Sequence, residues 1–463
     1  MLKKFGIVSG LSPKGAVLMK SALLSAASAK DLSAEVVMDD RIPPVEAPSA
    51  RVGLADSKIT VMDAVTALDA RGVSAVLVAG LKAQHFLPEV QTEIEVPVVS
   101  LWTVAEAALA ERGAKTIGFL GRSAAAYSAD LQKCFHGRTL CFPKSKGETC
   151  EVISDVGADV RAVAAELLAS GAEVLLPWCD QAAGLAGELA AEGLPVLDLY
   201  ALAAEWVVSK DWKRLPKPFK VGLIGGLGPA ATVDLYDKIT RFTPAKTDQE
   251  HLKVVVEQNP QTADRTACLL HGGDDPTLAL YRSAKRLEED GCDVLIVPCN
   301  TAHAFVPYLE RHVKCPFINM QQVTMEEIFK RFGEKARIGL LATSGTIQTG
   351  IYAEKAKAMG LPIFTPDAEH QERVMAAIYG PLGAKAGYTD GVCREDLVSA
   401  AEYLVKTYDC NCLILGCTEL PLILDESDDF PVAGKSVVVV DPTAVLARKV
   451  VDVGVHWHER DEH

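Results

Sequence analysis

The sequence lacks the features that would place the protein in a membrane or on a nucleic acid. No apolar run reaches the roughly 18 residues that span a bilayer. The first residues, MLKKFGIVSG, pass directly into a strand-like pattern, without a signal-peptide core or cleavage site. Basic clusters are also missing, and the formal net charge is −14, which argues against nucleic acid and anionic membrane as partners. We therefore expect a cytoplasmic protein.

The cysteines do not show the spacing of a structural metal site. Twelve cysteines in a reducing compartment are expected to be free thiols, core residues or catalytic groups rather than disulfides. Cys410 and Cys412 are not a C-x2-C pair of the kind that binds structural zinc, and we expect them to flank a buried strand. The sequence therefore predicts no metal.

What is present indicates a globular α/β protein. The chain has 463 residues, of which 49% are hydrophobic and 23% charged, so it can fold into two to four domains with cores of their own. β-Branched runs alternate with helical stretches rich in Ala and Leu, as in parallel βαβ units. The predicted strands are FGIVSG, AVLVAG, TIGFLG and EVLLPW in the first half, and VGLIGG, DVLIVP, RIGLLA and CLILGC in the second.

These strands belong to an internal repeat. FGIVSGLSPKGAVLMKSAL aligns with VGLIGGLGPAATVDLYDKI, and AEVLLPWCDQAAGL aligns with CNCLILGCTELPLI, so that Cys179 falls opposite Cys417. The basic, proline-broken segment 209–220 lies between the copies and is expected to be a linker. We therefore predict a tandem duplication, with one domain at 1–208 and another at 221–455.

A glycine-rich turn opens the second copy. Gly226-Leu227-Gly228-Pro229-Ala230-Ala231 fits the G-x-G-x-x-A turn of a dinucleotide-binding fold. The acidic ribose ligand that should follow is represented only by Glu257, which comes late and runs into Asn-Pro-Gln. A turn that serves only for packing is the other reading from the residues alone. The evidence for a nucleotide cofactor is weak.

Two cysteines follow apolar strands at the edge where open parallel sheets bind ligands. Cys299 stands in VLIVPCNTAHAF and Cys417 in CLILGCTELPLIL. A helix beginning at such a position lowers the pKa of a thiol and favours anions. Asn300 and Thr301 follow the first cysteine and Thr418 the second, and these side chains could hold a carboxylate together with backbone N–H groups. Two matched copies favour function over a small buried side chain.

Two thiols facing one small anion suit the inversion of an amino acid at Cα. One group must remove the α-proton from one face and another must return a proton to the opposite face, so the pair needs opposite protonation states. Donors around the carboxylate must stabilise the carbanion. His303 adjoins Cys299 and either tunes it or caps the following helix. No cofactor is required.

The second half of the sequence resembles the aspartate/glutamate racemase family of cofactor-independent racemases, in particular its aspartate racemase branch. The resemblance covers nearly all of residues 219–452. The matching segments are VGLIGGLGPAAT, TPAKTDQEHLKVVVEQNPQTADRT, PCNTAHAF, LLATSGTIQTGIY and GCTELPLIL. It implies two similar α/β lobes with the active site between them, and one catalytic cysteine from each lobe.

The resemblance also implies the roles of single residues. The catalytic pair is Cys299 and Cys417, while Gly226, Gly228 and Thr343 line the substrate pocket, which is then not a nucleotide site.

Recognition of an acidic substrate should fall on NPQTADRT. Asn259 and Gln261 can donate to carboxylate oxygens, and Arg265 offers a bidentate fork. The family implies a lysine near DAEHQERVM, where this chain has Glu372-Arg373, so we expect Arg373 to supply the second cation. Aspartate is the expected substrate and glutamate the next.

The first half departs from this pattern. Gly80 stands where Cys299 does, Leu81-Lys82 replaces Asn-Thr, and Asp180-Gln181 replaces Thr418-Glu419. RIPPVEAPSAR is no good counterpart of NPQTADR. We expect a pseudo-enzyme half that acts as a built-in partner, in an intramolecular pseudo-dimer or homodimer, or as a regulatory domain. A related isomerase or lyase, and a non-catalytic binding protein for amino acids or dicarboxylates, are the alternatives for the whole chain.

Overall fold

The chain divides into two units in a computed structural model that describes residues 2–43, 55–144 and 156–457. The first unit runs from Met1 to Lys217 and the second from Pro218 to His463. None of the helices in the described ranges combines the length and apolarity that a membrane crossing needs. Each unit alternates strands and helices, and each contains two sheets.

The first unit has two parallel sheets. Its strands are β1 (Lys3–Val8), β2 (Ala34–Asp39), β3 (Ala75–Val78), β4 (Val98–Val99), β5 (Thr116–Leu120), β6 (Thr139–Cys141) and β7 (Val174–Pro177). The strand order is β2-β1-β3-β4 in one sheet and β6-β5-β7 in the other. Every residue of β3 and β7 is buried, as expected for parallel strands that helices cover on both faces.

Helices cover these sheets. They are α1 (Pro13–Ala29), α2 (Ala55–Ala70), α3 (Leu87–Gln91), α4 (Leu101–Glu111), α5 (Ser128–Cys134), α6 (Val156–Ala169), α7 (Asp180–Gly184), α8 (Ala186–Ala191) and α9 (Leu199–Ser209). Helix α9 packs against α1 and α4. It begins where Asp198 accepts a hydrogen bond from the Ala201 N–H at 3.0 Å, a standard N-cap contact.

The segment after α9 binds the first unit instead of running free. Arg214 donates to both carboxylate oxygens of Asp69 at 2.7 and 2.8 Å and to Glu95 at 3.0 Å. The Leu215 N–H donates to the carbonyl of Glu95 at 2.8 Å. The boundary between the units, after Lys217, lies inside the predicted linker 209–220. Arg214 and Lys217 of this segment pair with carboxylates of the first unit.

The second unit repeats the two-sheet plan. Its strands are β8 (Lys220–Gly225), β9 (Lys253–Gln258), β10 (Val294–Ile296), β11 (Ile338–Ala342), β12 (Ile363–Phe364), β13 (Cys412–Gly416), β14 (Ser427–Val432) and β15 (Lys435–Val440). The orders are β10-β8-β9 and β12-β11-β13-β15-β14. All pairs are parallel except β14 with β15.

Ten α-helices flank these strands among the described residues. They are α10 (Pro229–Phe242), α11 (Arg265–His271), α12 (Thr277–Glu289), α13 (Val306–Leu309), α14 (Met320–Phe332), α15 (Ser344–Gln348), α16 (Ile351–Ala358), α17 (Ala368–Tyr379), α18 (Val392–Tyr408) and α19 (Pro442–Val455). Helix α19 packs on α10 and α14. Lys238 of α10 pairs with the buried Asp441 at 2.7 Å, and Asp441 caps α19.

The eight strands predicted from apolar runs are confirmed. They form β1, β3, β5 and β7 in the first unit and β8, β10, β11 and β13 in the second. In each unit these strands pair with one another, β1 with β3 and β5 with β7, then β8 with β10 and β11 with β13. The chain is thus a tandem duplication of an α/β unit with two lobes.

Candidate active site

A small cavity in the second unit lies beyond the carboxyl ends of β10 and β13. It is lined from the lobe of β8–β10 by Leu227, Arg265, Thr266, Cys299, Asn300 and Thr301, and from the lobe of β11–β15 by Thr343, Tyr379, Lys385, Cys417, Thr418 and Glu419. Its free volume is ≈ 10 Å³, about the room that one water molecule needs. A larger ligand therefore enters only when the lining groups move apart.

Cys299 is held through its backbone by His303. The Nδ1–H of His303 donates to the carbonyl of Cys299 at 2.9 Å, and its Nε2 accepts from the Met320 N–H at 3.2 Å. Complete burial lowers the pKa of His303 to about 4, so the ring is neutral at pH 7. The neutral ring anchors the turn that carries Cys299 and accepts a hydrogen bond from the first residue of α14, which is a different role from the two predicted for His303.

Arg265 brings a positive charge to Cys299. It is the first residue of α11, which Asp264 caps by accepting from the Ala267 N–H at 2.7 Å. The guanidinium donates to the carbonyls of Leu227 and Ala263. Burial acts to lower the pKa of Arg265, but the charge and hydrogen bonding of the Cys299 sulfur outweigh it and raise that pKa. Arg265 is therefore a fixed cation beside the first thiol.

Cys417 lies beside a carboxylate, whereas Cys299 lies beside a guanidinium. Its thiol donates to Oε2 of Glu419 at 3.0 Å, and Oε1 of Glu419 pairs with Nζ of Lys385 at 2.7 Å. Burial raises the pKa of the Cys417 thiol well above its ordinary value, and the negative charge of Glu419 raises it further. Cys417 therefore carries a proton at neutral pH.

The expected lowering of a thiol pKa by a helix N-terminus is wrong for Cys417. The residues that follow it form only a short 3-10 turn, Leu420–Leu422, and a buried carboxylate lies closer than any helix end. Burial and like charge both favour the neutral thiol, and they outweigh the backbone dipole.

Three buried donors on residues that line the cavity have no hydrogen-bond partner among the described residues. They are Nδ2 of Asn300, the hydroxyl of Thr266 and Nε of Arg265. Oδ1 of Asn300 accepts from the Tyr352 hydroxyl at 2.8 Å, which fixes the amide so that its NH2 is the free end. A buried unsatisfied donor costs roughly 1–3 kcal/mol. A ligand oxygen that accepts hydrogen bonds from these donors removes that cost.

Threonine hydroxyls complete the wall. The hydroxyl oxygen of Thr301 lies 3.1 Å from that of Thr343 and 2.9 Å from that of Thr346. These hydrogen bonds join the two lobes. The Thr418 hydroxyl donates to the carbonyl of Pro298 at 3.2 Å, a second bond between lobes. Thr301, Thr343 and Thr418 thus lie at the cavity, where the sequence predicts them.

The two glycines of the turn after β8 are required by close approaches. Gly226 has φ +87°, and a Cβ there would lie 2.5 Å from the backbone carbon of Asn259. A Cβ on Gly228 would lie 2.4 Å from Oε1 of Glu419. The turn therefore brings its backbone against the Asn-Pro-Gln loop and against the carboxylate beside Cys417.

Asn259 and Gln261 are placed at a neighbouring cavity rather than in this one. That cavity is polar, has a volume of ≈ 390 Å³, and is also lined by Arg282 and Arg286. Of the residues predicted from NPQTADRT, only Arg265 lines the cavity with the two thiols.

Arg373 also lies outside the lining of the thiol cavity. It stands on α17, half exposed, with its guanidinium 3.5 Å from Glu369 and 3.6 Å from Asp396. The second cation that lines the cavity, besides Arg265, is Lys385, which lies in the segment after α17. The sequence predicts the second cation near DAEHQERVM, at Arg373, whereas Lys385 follows twelve residues after that arginine.

Tyr379 at the end of α17 joins the lobes across the cavity. Its hydroxyl donates to Oδ2 of Asp264 at 3.2 Å, and Nζ of Lys385 lies 5.3 Å from its ring centroid. Burial raises the pKa of Tyr379 to about 12, so the phenol stays neutral. The other cavity residues to which the sequence analysis assigned no role are Leu227, Thr266, Tyr379 and Glu419.

The corresponding region of the first unit is filled by large side chains. Tyr200 is buried and donates its hydroxyl to the carbonyl of Ala79 at 3.1 Å, next to Gly80. Trp178, which precedes Cys179, is buried and stacks on Trp102 with ring centroids 6.1 Å apart. Most of RIPPVEAPSAR lies outside the described residues.

In the second unit, two lobes of mainly parallel sheet surround a cavity that receives one cysteine from each lobe. The profile of the Asp/Glu/Hydantoin racemase family matches residues 8–207 and again residues 224–450. The chain belongs to this family and carries its unit twice.

Individual relatives match about one unit of the chain. The broad specificity amino-acid racemase RacX of Bacillus subtilis (strain 168) is 25% identical over 242 residues, which are 50% of this chain and 96% of that protein. Glutamate racemase of Aquifex aeolicus (strain VF5) is 28% identical over 172 residues, 36% of this chain and 61% of that one. The solved Picrophilus torridus aspartate racemase has 29% identity and a TM-score of 0.44. The match covers 51% of this chain and 94% of that one.

Proposed function

We propose that the second unit racemises an acidic amino acid, aspartate first and glutamate next, by a two-base mechanism that needs no cofactor. The observation that carries the proposal is the single cavity to which one lobe contributes Cys299 and the other Cys417. Inversion at Cα requires one group that takes the proton on one face and one that returns it on the other.

The two thiols have surroundings of opposite charge. The Arg265 guanidinium lies beside Cys299, whereas the Cys417 thiol donates a hydrogen bond to Glu419. One enantiomer then loses its α-proton to Cys299 and receives another from Cys417. The other enantiomer reacts in the reverse sense, with the proton states of the pair exchanged.

The unpaired donors of the wall supply the binding groups. Asn300 Nδ2 and the Thr266 hydroxyl are placed to hold the α-carboxylate, whose oxygens gain charge as the α-proton leaves, so these donors also stabilise the carbanion. We assign the side-chain carboxylate to Lys385, in the role expected of Arg373. A second cation favours a substrate with two carboxylates.

We propose that the first unit is a pseudo-enzyme. Gly80 provides no first thiol, and the buried Tyr200 donates its hydroxyl to the carbonyl of the preceding Ala79. A pair of lobes with one thiol cannot perform two-base inversion. The pseudo-dimer or homodimer remains a prediction, as does a regulatory role for this unit.

Chiral chromatography tests the proposed function. The purified full chain is incubated without added cofactor with L-aspartate, then L-glutamate, then L-alanine as the uncharged comparison. We expect the D-enantiomer to appear fastest from aspartate. Inversion of alanine at the same rate would contradict the acidic preference, and a product of different constitution would indicate a lyase or another isomerase.

A further inference from the structure

Glu419 is an unexpected residue in a cavity proposed to bind an anion. It is buried, and each of its oxygens has a different partner in the cavity. Oε1 pairs with Lys385 at 2.7 Å, while Oε2 accepts from the Cys417 thiol at 3.0 Å and from the Thr418 hydroxyl at 3.4 Å. One carboxylate therefore connects a cation of the cavity to one of its two thiols.

This carboxylate is tightly enclosed. The backbone of Gly228 approaches so closely that a Cβ there would lie 2.4 Å from Oε1. The cavity that it lines has a free volume of only ≈ 10 Å³. Because buried charge is costly unless it is paired, the ionised form of Glu419 depends on Lys385.

Of the two cations in the described lining, Lys385 is the one that can change partners. The Arg265 guanidinium is bound to the backbone carbonyls of Leu227 and Ala263. Lys385 is a flexible side chain on a loop, and its ammonium can rotate toward a second carboxylate. A substrate carboxylate that binds Lys385 therefore leaves the negative charge of Glu419 without a close positive partner.

We infer that Glu419 and Cys417 share one proton, and that a carboxylate ligand which draws Lys385 away moves this proton from Sγ of Cys417 to Oε2 of Glu419. The S–H bond breaks, its electron pair stays on sulfur, and an O–H bond forms on the carboxylate, so no other reactant is needed. The inference rests on the proposed function and makes Glu419 a positioning residue for Cys417.

The inference gives Cys417 two states. In the empty cavity the thiol is protonated and unreactive. With a dicarboxylate bound and Cys299 protonated, Cys417 becomes a thiolate that can remove an α-proton, which the second direction of racemisation requires. When Cys299 is the thiolate, as in the first direction, Cys417 keeps its proton. A purely structural ion pair between Lys385 and Glu419 would produce no ligand-dependent thiolate.

The experiment follows the ultraviolet absorbance of thiolate in the full chain carrying Cys299→Ser. Succinate is the probe, because it has the two carboxylates of aspartate and no α-proton that inverts. Calorimetry records binding in parallel. We expect absorbance equivalent to one thiolate per chain on saturation, and no increase in Cys299→Ser/Cys417→Ser.

Glu419→Gln in the Cys299→Ser chain should bind succinate but give less than about one tenth of this absorbance, while Glu419→Asp should restore part of it. Glu426→Gln is the matched control, since Glu426 pairs with Arg448 at 2.8 Å in the same unit and does not line the cavity. Binding of succinate without a thiolate signal, or with the same signal in Glu419→Gln, would overturn the inference alone. Failure of succinate and aspartate to bind would count against the proposed function.

Discussion

The two units place different side chains at equivalent strand ends. At the end of β13 the second unit has Gly416, followed by Cys417, Thr418 and Glu419, whereas after β7 the first has Trp178, Cys179, Asp180 and Gln181. A Cβ on Gly416 would already lie 2.7 Å from Leu340, so the second unit has no space for the tryptophan. The comparison teaches that buried apolar strands keep the fold, while a few positions at their ends decide which side chains are available to a site.

The bond between the lobes also differs. In the second unit the hydroxyl of Thr418 donates to the carbonyl of Pro298, and in the first the hydroxyl of Tyr200 donates to that of Ala79. Both carbonyls precede the position of the first thiol. The contact between lobes is thus preserved, but the first unit makes it with a large ring from α9, which occupies space near Cys179.

The largest expected effect separates the cysteines of the two units. Cys417→Ser should lower the rate of inversion about 1,000-fold or more, because a serine hydroxyl is a far weaker acid than a thiol. Cys179→Ser, at the matching position, should leave the rate within about twofold. The two rates are compared by chiral chromatography, and an equal loss in both variants would show that the first unit takes part in the chemistry.

A change in the first unit should affect its stability and not the reaction. Trp178→Ala removes a buried ring that packs on Trp102 and should destabilise the first unit by about 3–5 kcal/mol. Hydrogen exchange of β5 and β7 should rise, while exchange of β11 and β13 and the rate of inversion stay unchanged. A large loss of racemisation in a chain with an intact second unit would contradict the pseudo-enzyme proposal.

The central strands could be predicted from sequence because continuous apolar runs are a local signal. The thiol pair followed from the repeat and from the resemblance. The second cation could not be placed from the sequence, because Arg373 lies beside Asp396 in the folded protein and Lys385 reaches the cavity from the 3-10 turn Ala384–Ala386. The high pKa of Cys417 depends on burial and on Glu419, which are tertiary effects.

The neutral His303 should make the second unit sensitive to acid. Its pKa is lowered to about 4 in the folded state against about 6.5 in an unfolded chain. The unfolded state therefore binds the proton first, and roughly 3 kcal/mol of stability that is present above pH 6.5 is lost as the pH falls toward 4. Hydrogen exchange of β10, with β1 of the first unit as reference, checks this, and parallel changes in both strands would contradict it.

The smallest expected effect concerns opening of the cavity. Tyr379→Phe removes the bond to Asp264 that joins the lobes, which is worth roughly 0.5–1.5 kcal/mol, so succinate should associate about 2–10-fold faster in stopped-flow measurements. Tyr308→Phe is the control, because Tyr308 is exposed and lies outside the cavity lining. An unchanged association rate in Tyr379→Phe would show that this bond does not limit entry.

The most direct test of the two-thiol account is racemisation of L-aspartate by the full chain in D2O, with the α-position of both enantiomers followed at early times. Two bases on opposite faces predict that D-aspartate carries deuterium while the remaining L-aspartate keeps its α-proton. Deuterium entering the L-aspartate as fast as the D-aspartate would indicate a single base. D-aspartate that retains the original proton would contradict the proposal that separate thiols remove and return it.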